Sequence, residues 1–146
     1  HGDREPKPEG QPTASGADNE IWSYGEEVYE ICKKYIGIRE GLRLYTRELM
    51  KEAHEKGTPV MRTLFYEFPD DKRVWDVETE YMYGRRYLVV PVLEAGQRRI
   101  TAYLPTGASW RLLDRELYQG GQEVEVDCPI ERMPVFERVE SSTETD

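Results

Sequence analysis

Cysteine, histidine and asparagine are all scarce in this chain. Its 146 residues include two cysteines, two histidines and one asparagine, Asn19. Cys32 and Cys128 are isolated from one another, so they form neither a metal-binding motif nor a disulfide framework. They read as buried free thiols, which favours a reducing, cytoplasmic setting over an oxidising one. Asn19 is followed by Glu20 and Ile21, so no N-glycosylation sequon exists. Positive charge is also short. Twenty Lys and Arg face 29 Asp and Glu, a formal charge of −9. That balance argues against a nucleic-acid partner and against an anionic membrane surface. No apolar run approaches the length that spans a bilayer. The first residues are polar and show no signal-peptide pattern. The chain opens on His1 rather than Met, and the expectation is a piece or a processed product of a longer protein.

What is present is organised around residues 57–93. Gly57 and Pro59 stop the helical pattern before them. Val60, Leu64, Phe65, Tyr66 and Phe68 follow within nine residues, and the expectation there is extended chain. Pro69, Asp70 and Asp71 form a polar turn. Tyr87 to Leu93 is a β-branched apolar run that reads as a buried strand.

Before this stretch the chain is helical. Residues 1–20 are rich in Gly and Pro and read as a loop or flexible arm. Ser23 to Glu26 fits a capping box. Val28, Ile31, Cys32 and Tyr35 then share a helical face. Gly37 is expected to interrupt it, and the pattern resumes through Ile38, Leu42, Tyr45, Leu49 and Ala53. No obvious partner for this apolar face exists in the chain, and such a face needs cover. After the stretch the chain reads as strand. Residues 98–104, 110–113, 123–127 and 133–139 carry the pattern, with turns at Pro105–Gly107 and Gly120–Gly121. Glu123, Glu125 and Asp127 alternate with valine, giving one wet and one buried face. Pro134 marks an edge strand or a strand start. Helices followed by antiparallel strands indicate an α+β class or pieces of two domains.

Residues 59–71 (PVMRTLFYEFPDD), Trp75 and residues 81–92 (YMYGRRYLVVPV) resemble the C-terminal region of glycoside hydrolase family 31. The likeness continues through YLPTGASW (103–110), the Gly-Gly pair and PIERMPVF (129–136). Each motif is weak alone; their order and spacing are specific, and the α-xylosidase branch matches best. The resemblance implies the last helices of a (β/α)8 barrel followed by an antiparallel β-sandwich. Residues 1–20 would be the loop after the last barrel strand. Residues 21–57 would be the terminal barrel helices and 58–139 the sandwich, with 140–146 a disordered tail.

The resemblance also implies a retaining α-glycosidase that uses two Asp residues and no cofactor. Retention needs carboxyls about 5–5.5 Å apart. Those motifs lie on earlier barrel strands in the family, so no catalytic residue is assigned to this chain. Asp70 and Asp71 are neighbours in a turn, point apart, and read as solvated. Within the family an Arg-x-His-Gly motif follows the eighth strand, and its His hydrogen-bonds the sugar. His1-Gly2, followed by Asp3-Arg4-Glu5-Pro6, resembles its continuation, so His1 is the candidate substrate-binding residue. Lys7 departs from the aromatic often found there, and the motif's Arg is not in the chain. The alternative for His1 is a terminal histidine left by truncation or a tag. His54 lacks companion ligands and reads as a solvated helix-end residue. Trp22, Tyr24, Tyr29, Tyr35 and Tyr45 read as packing, as do Trp75 and Trp110.

Two functions remain open. One is the C-terminal part of an α-glycosidase acting on α-linked oligosaccharides or glycosides, with the rest of the barrel as its partner and no activity alone. The other is a non-catalytic β-sandwich that binds sugar or protein, which requires aromatic rings exposed on one face.

Overall fold

A computed structural model describes residues 20–112 and 116–139. The chain divides into two compact units, residues 1–45 and 46–146.

The described part of the first unit is helical. Ile21–Tyr24 form a 3-10 turn, closed by the Ser23 N–H donating to the Glu20 carbonyl at 2.9 Å. The capping box expected at Ser23 is therefore not used. Gly25 instead starts α1 (Glu26–Gly41) with φ of 93°, a backbone state that suits only glycine. Gly37 does not break α1. A helix-interior glycine costs about 1 kcal/mol relative to alanine but keeps its hydrogen bonds. The interruption falls at Leu42, whose φ of −83° and ψ of −1° lie in the bridge region. Val28, Ile31, Cys32 and Tyr35 are the half-buried face of α1, as their spacing requires, but no α1 residue is fully buried. Ile36 and Ile38 are exposed. Next comes α2 (Arg43–Lys56), which begins in this unit.

The second unit starts at Thr46 within α2, whose one buried residue is Leu49. Extended chain expected over 60–68 is limited to β1 (Met61–Arg62). Leu64–Glu67 form a single helical turn, α3. Leu64 and Phe68 are buried at i,i+4 while Phe65 and Tyr66 face out, so a period near 3.6 prevails over a period of two. Lys72–Asp76 form a second 3-10 turn.

Seven strands follow. They are β2 (Tyr81–Tyr83), β3 (Tyr87–Val89), β4 (Arg99–Leu104), β5 (Ser109–Leu112), β6 (Leu117–Gln119), β7 (Gln122–Asp127) and β8 (Val135–Val139). Six make one antiparallel sheet in the order β1-β2-β3-β8-β5-β6, and β4 pairs with β7 in a second. The strand expected over 87–93 pairs only to Val89. Beyond it Val90 donates to the Pro134 carbonyl at 3.1 Å, and Pro91 has no N–H to offer. Pro134 immediately precedes β8, at a strand start, but β8 lies between β3 and β5 rather than at an edge.

The core lies between the sheets. Met82, Leu88, Trp110 and Phe136 come from the larger sheet; Ala102, Leu104, Val124 and Val126 come from the smaller one. Leu64, Phe68 and Val74 close it from the connecting segment. Trp110 is fully buried, donates its indole N–H to the Pro105 carbonyl at 2.9 Å, and meets Phe68 edge-on. The Gly120–Gly121 turn sits against the 105–108 turn. A Cβ on Gly120 would lie 2.2 Å from the Pro105 oxygen, so only glycine fits. The chain from Thr46 on is thus a small β-rich domain with antiparallel sheets.

Candidate functional site

Two buried acids hold the open edge of β4, which has no second strand beside it among the described residues. Asp71 Oδ2 accepts the Tyr103 hydroxyl at 2.7 Å and the Thr106 N–H at 2.9 Å. Its Oδ1 accepts the Arg73 N–H at 3.1 Å, capping the second 3-10 turn. Burial opposes ionisation of Asp71, but the donors from Thr106, Tyr103 and Arg73 outweigh it, so its pKa is lowered. Tyr103 is pushed up to about 12, by burial first and then by its bond to Asp71. Asp71 is therefore not the solvated turn residue expected, whereas Asp70 is exposed. The two neighbours do point apart. Glu80 is the second acid. Its Oε1 accepts the Tyr103 N–H at 2.7 Å.

A third polar node ties α2 to the sheet. Arg62 is buried; it donates through Nε to the Pro59 carbonyl at 2.7 Å and reaches Glu67 and Glu52 with its other nitrogens. Glu52 also takes Arg85 at 3.2 Å. Burial lowers the pKa of Arg62, but Glu67 and Glu52 more than compensate, and it is raised overall. Thr46 and Tyr83 share a hydrogen bond of 2.7 Å along the same line. These nodes position backbone. Glu80 also borders a shallow depression beside Glu78 and Arg62.

Exposed rings are the other feature. Phe65 and Trp75 stack at 4.8 Å with planes 10° apart, and Trp75 is 58% exposed. Tyr66 lies exposed beside them in sequence. The reading of Trp75 as packing is met only in part: α3 turns Phe65 outward, and Trp75 packs on that ring while staying largely exposed. Trp22 and Tyr24 are also exposed rather than packed. Trp110 is core, as expected. A shallow depression of about 370 Å³ opens between Met61, Thr63, Tyr81, Pro91 and Leu93.

His1, the substrate-binding candidate, lies outside the described residues. His54 is exposed at the end of α2. Among the described residues, no three His, Cys, Asp or Glu side chains could hold a metal ion. Cys32 and Cys128 are both free thiols; Cys128 is buried and Cys32 partly so. No described helix is long and apolar enough to cross a membrane. The Asp71 and Glu80 anchors were not foreseen, because their partners lie 35 and 23 residues away.

The arrangement of sheets, turns and anchors has a sequence counterpart. Residues 57–141 match the glycosyl hydrolase family 31 C-terminal domain. The chain belongs to glycosyl hydrolase family 31. An α-glucosidase 2 from Bacillus thermoamyloliquefaciens is 36% identical over 117 residues, 80% of this chain and 15% of that enzyme. Among solved structures, a family 31 α-xylosidase from a soil metagenome, complexed with xylose, is 48% identical. It superposes with a TM-score of 0.83 over 88% of this chain and 19% of its own. A family 31 dextranase from Flavobacterium johnsoniae, complexed with isomaltotriose, is 35% identical with a TM-score of 0.78. That match covers 82% of this chain and 15% of the dextranase. The chain thus spans less than a fifth of the length of these family 31 relatives.

Proposed function

We propose that this chain is the C-terminal part of a retaining α-glycosidase that cleaves α-xylosidic or α-glucosidic bonds. The observation that carries the reading is the family 31 domain match over residues 57–141. The likeness to an α-xylosidase at 48% identity supports α-xylosides as a substrate class. The sandwich braces the catalytic barrel; α1 and α2 are that barrel's last helices, and His1 reaches the substrate from the loop before them. The absence of buried residues in α1 supports a partner beyond this chain. The catalytic carboxylates reside in the barrel, and no cofactor takes part. The Arg62, Glu52 and Thr46 contacts would then tie the final barrel helix to the sandwich.

A second reading, a sugar- or protein-binding sandwich, draws on the exposed Phe65, Tyr66 and Trp75 rings. One preparation separates the two. The purified 146-residue chain is expected to release no p-nitrophenol from an α-xyloside or α-glucoside and to give no hits on a glycan array. Turnover would overturn the assignment of catalysis to the barrel, and specific glycan binding would favour the second reading.

A further inference from the structure

Asp71 and Glu80 do the same structural job with different completeness. Both oxygens of Asp71 are filled, by three donors. Glu80 is 8% exposed, and only its Oε1 is engaged. Its Oε2 is buried and, among the described residues, has no hydrogen-bond partner. A carboxylate oxygen left this way is costly, whereas a protonated one removes the charge.

Among the described residues, no cation is paired with Glu80. Glu123, on β7 opposite Tyr103, adds negative charge. Arg73 lies over the Tyr103 ring, 4.5 Å from its centre, and is paired with Glu123. Arg62 lines the same depression, but Glu52 and Glu67 hold its guanidinium. Glu78 and the Tyr81 phenol complete the titratable groups around that depression. On the far side of Tyr103, its hydroxyl belongs to Asp71.

We infer that Glu80 is a proton-operated latch between the two sheets: the fold closes on its neutral carboxyl, and ionisation favours opening that brings the buried, unpartnered Oε2 to water at the cost of the Oε1 bond to the Tyr103 amide. Glu80 stands immediately before β2 in the larger sheet, and Tyr103 is in β4 of the smaller one. Loss of this bond uncovers the edge of β4 that no strand covers among the described residues. Burial supports the inference by pushing the carboxyl up to about 7, with the Tyr103 N–H opposing and Glu123 adding to the rise.

The sign follows from linkage. A carboxyl raised in the folded state binds more protons there than in the unfolded chain. Its contribution is complete below the ordinary value of 4.5 and is lost as pH rises through about 7. Urea unfolding of the 146-residue chain near pH 5 and near pH 8.5, beside Glu80→Gln, tests this. Between those pH values the wild-type folded-to-unfolded ratio is expected to fall on the order of 100-fold more than that of the variant. Parallel pH dependence in the two proteins would overturn the latch. Should Glu80→Gln not fold, ¹³C titration of the wild-type glutamate carboxyls decides. A buried carboxyl titrating near 7 sustains the latch, and all of them titrating below about 5.5 overturns it.

Discussion

The helical stretch up to Tyr45 and the sandwich after it are built on opposite terms. In α1 no side chain is fully buried, although its apolar residues fall on one face. In the sandwich, the strands place Met82, Leu88, Ala102, Leu104, Trp110 and Phe136 at 0% exposure. Both segments carry a correct hydrophobic period, but among the described residues only the second finds its cover. Periodicity tells which face of an element is to be buried, not what buries it. A helix of this length without a packed face is marginal in water, because nucleation is costly. The sandwich has long-range pairing, a closed core and polar anchors on its open edge.

The contrast is sharpest at single residues. Trp110→Ala removes the largest fully buried side chain and strands the Pro105 carbonyl that its indole serves. A loss of about 3–5 kcal/mol is expected, read as a lower urea midpoint for the sandwich. Arg62→Met keeps the volume but leaves Glu52 and Glu67 without their shared cation in a largely buried setting. Removal of one partner of such a network costs about 3 kcal/mol, measured in the same unfolding experiment. Ile36→Ser, on α1, is at the other extreme. Ile36 is 53% exposed, so the sandwich midpoint should move by less than about 0.5 kcal/mol. An Ile36 variant as damaging as the Trp110 one would erase the distinction between the two regions.

Much of this fold is legible in the sequence. The alternation of Glu123, Val124, Glu125 and Val126 gave β7 its faces, and burial follows it. The Gly120–Gly121 turn was evident from composition, and its tight seat against Pro105 explains why glycine is needed there. Family motifs from Pro59 to Phe136 identified the domain. Other features were hidden for physical reasons. Three residues, Tyr81 to Tyr83, are too few to establish a period of two, so β2 was not visible. Leu64 to Phe68 is apolar enough for either helix or strand, and tertiary burial of Leu64 and Phe68 decided it. Asp71 looks like a turn acid in sequence, and Glu80 carries no signal of its own. Only the return of β4 alongside them supplies the donors and removes the water. The break at Leu42 rather than Gly37 has the same character, since a glycine permits a kink without requiring one.

Native-state hydrogen exchange on the 146-residue chain tests the central claim most directly, because it reports local opening region by region. The amides of β3, β5 and β8 should exchange only through global unfolding, while those of α1 between residues 30 and 40 should exchange with little protection. Protection of α1 equal to that of the central strands would contradict the account, since the helix would then have its cover within this chain.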